Sequence, residues 1–205
     1  MKQQAGDSSP LLIGMVMRQF QKLLFAICVL ALSWLGMMAV HEFGHVVGAV
    51  VTRGNVERVV LHPLAISRTD VLPNPYPGVV VWFGPILGCI IPVVVWLAIP
   101  RRFRIARGLA MFFAGFCLLA NGAYIAIGSF DRVGDCGVML QSGSPLWTLF
   151  AFGIATIPTG FFIWHQMGSL KEFFESPSLG NARLSYLSLA ALACVVIVEL
   201  VLSGK

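Results

Sequence analysis

Charge is scarce in this chain. Asp, Glu, Lys and Arg make up 11% of its 205 residues, against about 25% in an ordinary soluble domain, and that excludes a water-soluble fold of usual composition. Thiol pairing is missing as well. The five cysteines, Cys28, Cys89, Cys117, Cys136 and Cys194, are widely spaced, form no C-x-x-C pair and lie mostly within apolar runs. They read as small packed hydrophobes, with Cys136 set apart by its acidic neighbours, and exclude a disulfide framework or a thiolate zinc site. The first apolar run lacks a small-residue cleavage site at its end, so it is not read as a signal peptide. The length leaves no room for a separate soluble module. A net charge of +5 is compatible with a nucleic-acid partner, but the basic residues sit in short stretches between apolar runs. That pattern belongs to membrane topology, and no nucleic-acid partner is expected.

What is abundant is hydrocarbon. Hydrophobic residues account for 58% of the chain and mean hydropathy is +0.85, which predicts an all-α polytopic protein embedded in a lipid bilayer. A bilayer core takes about 20 apolar residues per helix. Five runs meet that length: 23–51, 79–99, 105–129, 145–166 and 184–202. Residues 1–22 are read as a polar, mobile terminus followed by an interfacial segment or a surface strand, residues 23–140 as a membrane core that carries the candidate site, and 141–205 as additional transmembrane helices. Between the first two spans, Val56 to Ile66 is rich in β-branched residues and Pro63, Pro73, Pro75 and Pro77 follow. A short strand, hairpin or re-entrant segment with a Pro-rich turn is expected there. Gly84-Pro85 and Pro92 predict that the second span kinks or begins afresh.

The first span carries His41-Glu42-Phe43-Gly44-His45. On a continuous helix the two histidines stand four positions apart on one face, able to share a metal ion, with Glu42 about 100° round the axis and placed to take a proton from an attacking water. Ionisable groups at this depth are costly and mark function by default. Satisfied core histidines with a paired glutamate are the plain alternative. Two imidazoles leave a catalytic zinc short of its usual third protein ligand. Asp131, Asp135 and Cys136 are the nearest candidates, with His62, His165 and Glu199 more remote.

These marks resemble the site-2 protease type of intramembrane zinc metalloproteases. His41 to His45 matches that family's zinc motif, Phe83-Gly84-Pro85-Ile86-Leu87 resembles its Gly-Pro helix start, and Asp135 to Leu140 resembles the Asp-Gly segment that supplies the third ligand. In this chain Cys136 stands between Asp135 and Gly137, and no N-P-x-P-D-G run occurs, although Asn121 lies upstream. The resemblance implies Zn2+ bound by His41, His45 and either Asp135 or Asp131, with Glu42 as general base. It implies a minimal intramembrane protease, without an inserted soluble domain, that cuts a transmembrane protein substrate whose helix unwinds and pairs as a strand near Val56 to Ile66. The rival reading is a non-proteolytic membrane protein that binds or escorts a partner helix. Ion or haem handling is a more distant rival, since neighbouring turns of one helix do not suit opposed axial ligation. Nine Lys and Arg fall on the N-terminal side of the expected spans and five on the other, which predicts a cytoplasmic N-terminus.

Overall fold

The computed structural model describes residues 9–168 and 182–203. It is an all-α bundle with one small sheet. Helix α1 (Ser9–Val51) leads into β1 (Val56–Val60) and β2 (Arg68–Val71), followed by α2 (Pro77–Ala98), α3 (Arg104–Asp131), the short α4 (Gly134–Gln141), α5 (Leu146–Gln166) and α6 (Ala182–Ser203). Among the described residues α1, α2, α3, α5 and α6 are each long and apolar enough to cross a membrane. The polar stretch with Lys171, Glu172 and Glu175, expected from the sequence as a loop before the last span, lies outside the described residues, as do the first eight residues and Lys2, Lys171 and Lys205 of the charge count.

The expected strand segment is an antiparallel pair in which Val60 faces Arg68 and Val59 faces Thr69, with an irregularity between Val56 and Arg58. Two sequence expectations change. Residues 11–22 are neither a strand nor a separate interfacial segment, because they continue α1, whose 43 residues extend about 64 Å at 1.5 Å each. Gly14 alone is too weak a breaker to end so apolar a helix. Helix α2 also does not restart at Gly84-Pro85 or Pro92, and both prolines are buried within one helix. Neighbouring helices in a bundle tolerate such breakers in a membrane span.

Apolar contacts hold the bundle together. Phe25 and Val29 of α1 pack with Phe112 of α3, on which Trp164 of α5 stacks at 5.2 Å, its indole N–H donating to the Phe112 carbonyl at 2.9 Å. A second cluster joins Val81, Ile125, Met139 and Leu149 and fixes α4 beneath α3. Helix α6 leans on α1, where the Ser185 hydroxyl donates to the Gln21 carbonyl at 2.9 Å.

The α1–α2 contact governs the site. Gly44 and Gly48 let the helices close until a Cβ on Gly44 would lie 2.8 Å from the Gly84 Cα, and one on Gly48 3.0 Å from the Val80 Cα. Backbone cannot swing aside as a side chain can, and small residues at such crossings allow this approach. Gly44→Ala is therefore expected to lower the unfolding free energy in detergent by about 1–3 kcal/mol, the usual cost of overpacking. Gly14→Ala, with nothing within 4 Å, should be neutral or slightly stabilising. Equal midpoints for the two variants in thermal unfolding would refute this account of the crossing.

Candidate metal centre

The chain brings together residues 80 and 94 positions apart. His41 and His45 lie one turn apart on α1, both buried, with ring centroids 4.8 Å apart and planes at 74°. His41 Nδ1 is 2.6 Å from Asn121 Oδ1, and His45 Nδ1 is 3.0 Å from the Val80 carbonyl. The Asn121 amide nitrogen donates to the Cys117 carbonyl at 2.9 Å, which fixes its Oδ1 as the acceptor toward His41. Both Nδ1 atoms must therefore carry hydrogen and donate it. A neutral imidazole with Nδ1–H has only a lone pair at Nε2.

Those lone pairs converge on one carboxylate oxygen. Asp135 Oδ2 lies 2.8 Å from His41 Nε2 and 3.4 Å from His45 Nε2. Three acceptors this close repel one another unless a cation stands among them, whether a proton on an imidazole or a metal ion. Tetrahedral zinc with ligand bonds near 2.0–2.1 Å sets its ligand atoms about 3.3 Å apart. The His45–Asp135 separation matches that edge, and the His41–Asp135 separation comes within about 0.5 Å of it. Imidazoles that ligate metals characteristically donate their other N–H to a carbonyl or carboxylate, as Asn121 and Val80 allow here. Gly84 completes the cradle, because a Cβ there would run into the Nε2 edges of both histidines. The donor set can hold a divalent ion.

Asp135 reaches the site because the chain reverses sharply after α3. Arg132 adopts φ 53° and caps α3 by donating its N–H to the Gly128 carbonyl at 3.1 Å, and Gly134 follows at φ 57°. The left-handed region is routine for glycine and uncommon for arginine, where it serves as a helix stop. Tyr124 then accepts the Asp135 N–H at 3.2 Å and sets its ring edge-on to His41 at 5.9 Å. Burial alone would raise the Asp135 pKa, but with His41 and His45 protonated, so that Nε2 donates to it, they outweigh burial and hold the carboxyl well below the usual carboxylate range.

The other sequence candidates sit elsewhere. Asp131 is exposed at the end of α3 and does not line the cavity. The Cys136 thiol is turned to the Tyr124 and Ile125 carbonyls at 3.6 and 3.5 Å, and burial followed by the neighbouring Asp135 pushes its pKa up to about 11. It is a protonated core group rather than a thiolate. His62 accepts the Leu64 N–H, His165 is exposed at the end of α5, and Glu199 is buried on α6. None of these three lines the cavity.

Glu42 is buried beside the histidines, and His41, Glu42 and His45 offer ligand atoms within 4.8 Å of one another. Its Oε2 accepts the Thr69 hydroxyl at 2.7 Å, which ties the carboxylate to β2. Sequence reasoning missed Thr69 because no motif marks it; only the placement of the sheet against α1 brings it there. The site opens into a cavity of about 820 Å³ between α1, α2, α3 and β2, with Trp34 and Met37 on its apolar side, Thr69 on β2 and Asn74 in the Pro-rich connector. Of the Val56 to Ile66 stretch, Glu57 and Ile66 alone line it, whereas all of β2 does.

Comparison with protein families, curated proteins and solved structures finds no match to this chain.

Loss of an orienting group commonly costs 10–100-fold in metal affinity. Asn121→Ala is expected to weaken zinc binding by about that factor in chelator competition while the protein stays folded, and Gly84→Ala to weaken it at least as much. Affinity unchanged in both variants would contradict the arrangement of donors.

Proposed function

We propose that this chain is an intramembrane zinc metallopeptidase that hydrolyses a peptide bond within or next to a transmembrane segment of a membrane protein. The observation that carries this reading is a buried carboxylate, Glu42, held by Thr69 beside a three-acceptor cluster at the base of a cavity. A site for binding or escort alone needs no such base. His41, His45 and Asp135 would hold Zn2+, for which two imidazoles and a carboxylate are a suitable set. Bound there, zinc would polarise the scissile carbonyl and make water a better nucleophile.

The chain's own residues supply the rest. Asn121 and the Val80 carbonyl keep both imidazoles in the tautomer that presents Nε2. Thr69 donates to one carboxylate oxygen of Glu42, leaving the other to take the proton of the attacking water and pass it to the departing amine. Because a transmembrane helix hides its peptide bonds in its own hydrogen bonds, the substrate must unwind to be cut. Strand β2, which lines the cavity, is the element beside which an extended segment would lie. The excess of basic residues at the N-terminal side of the spans supports a cytoplasmic N-terminus.

Glu42→Gln should retain stoichiometric zinc and lose cleavage of tagged single-span membrane proteins by 10²-fold or more, the usual worth of a general base. Turnover persisting in purified Glu42→Gln would refute the role of this carboxylate; absence of turnover in the wild type, with a partner helix still bound, would favour the escort reading. Thr69→Val should lower kcat about tenfold with KM unchanged, about 1.4 kcal/mol at the transition state, and Thr69→Ser should restore it. Equal kcat in Thr69→Val and wild type would separate the strand from the base.

A further inference from the structure

The two ends of the bundle differ in charge. Helix α6 runs parallel to α1, since Ser185 meets Gln21 near their N-terminal ends and Val195 and Val196 pack further along with Leu35, Met37 and Met38. Phe25 of α1, Phe112 of α3, Trp164 of α5 and Leu184 of α6 form one layer. Arg18 and Arg104 stand about 10 and 12 Å outward of it along their helices. This end carries Arg18, Lys22, Arg183 and the four arginines of 101–107, and no described carboxylate. Glu42, Glu57, Asp70, Asp131, Asp135 and Glu199 all lie toward the other end, where four more arginines accompany them. The segment joining α5 to α6 adds Lys171, Glu172 and Glu175, and the first eight residues add Lys2 and Asp7, so the excess stays positive.

The turn between α2 and α3 concentrates that charge. Arg107 is committed inward: its guanidinium donates to the Trp96 and Ile99 carbonyls at 3.2 and 2.6 Å and lies over the Trp96 ring. It closes the last turn of α2, as basic groups near a helix C-terminus do. Arg101, Arg102 and Arg104 are exposed and form no ion pair among the described residues. Arg102 lies 4.9 Å over the Phe103 ring, and Leu97, Phe103 and Ile105 expose apolar surface beside the three cations. Cations next to an apolar shoulder complement a molecule with an anionic head and hydrocarbon tails. We infer that the α2–α3 turn holds the phosphate headgroup of an anionic lipid, whose acyl chains run along Leu97 and Ile105. Guanidinium forks match phosphate oxygens, and like charges gathered at one end repel unless an anion stands among them. Such a clasp sets the depth of the metal centre. Arg104 to Asn121 is about 26 Å along α3 and Lys22 to His41 about 28 Å along α1, so basic residues at headgroup level place the centre in the far half of a ~30 Å hydrocarbon core. The clasp holds whether or not the protein cleaves peptides.

The test is native mass spectrometry of the full-length protein in neutral detergent, titrated with phosphatidylglycerol, with phosphatidylcholine of the same chains, or with inorganic phosphate. A basic residue near the surface strengthens attraction to anionic lipid by about fivefold, so phosphatidylglycerol should bind at least tenfold more tightly than phosphatidylcholine. The triple variant Arg101→Gln/Arg102→Gln/Arg104→Gln should lose most of that preference. Arg53→Gln/Arg58→Gln/Arg68→Gln, which removes the same charge from the other end, should keep it. If the triple variant at the turn unfolds early, Arg101→Gln/Arg104→Gln should still lower the preference at least threefold. Equal binding of the two lipids by the wild type, a preference that survives the turn variants, or an equal loss in the variant at the other end would overturn the inference. Displacement of phosphatidylglycerol by millimolar inorganic phosphate would overturn it too, by marking a site for a free anion. No arm reads turnover, so a protein that binds the lipid and cleaves nothing would sink the hydrolytic reading and leave the clasp standing.

Discussion

The site depends on a pair of hydrogen bonds that decide which way two imidazoles face. Asn121 and the Val80 carbonyl each take an Nδ1 hydrogen, and each is fixed as an acceptor, one by its own chemistry and the other by the Cys117 carbonyl. Once those hydrogens are committed, both Nε2 lone pairs point at Asp135. Polar groups withdrawn into an apolar bundle are costly unless every one finds a partner, and here the last unmet demand is for a positive charge at the point where three acceptors meet.

Each helix contributes to that demand in a different way. Helix α1 supplies the histidines and Glu42, and its Gly44 and Gly48 admit α2 closely enough for Val80 to reach His45 and for Gly84 to sit beneath both rings. Helix α3 supplies Asn121 and Tyr124, then ends in the left-handed turn that swings α4 back. The small sheet does for Glu42 what α2 and α3 do for the histidines, since the Thr69 hydroxyl fixes one oxygen and leaves the other uncommitted. The histidine pair and the Glu42 carboxylate are thus oriented by separate elements, so a displacement of β2 would disturb Glu42 without moving the histidines.

Much of this was legible in the sequence, for physical reasons. Five apolar runs of spanning length can hardly be anything but helices in lipid, and four-residue spacing puts His41 and His45 on one face whatever surrounds them. The β-branched run after the first span marked β1, whereas β2 lies beyond it in a more polar stretch. The helical continuation through 11–22 was not legible, because apolar residues broken by Gly14 and Arg18 carry no periodicity that separates helix from strand. Nor was the choice between Asp131 and Asp135, which turns on Arg132 entering the left-handed region and reversing the chain between them. Thr69 and the Val80 carbonyl belong to long-range packing, and a backbone carbonyl leaves no trace in sequence at all.

Zinc K-edge X-ray absorption on the purified full-length protein tests the central claim most directly. Stoichiometric zinc with a first shell of nitrogen and oxygen at about 2.0–2.1 Å, and with the outer-shell scattering of two imidazoles, is the predicted result. A shell containing sulfur at about 2.3 Å, a single imidazole, or protein that binds no metal when zinc is supplied would contradict it.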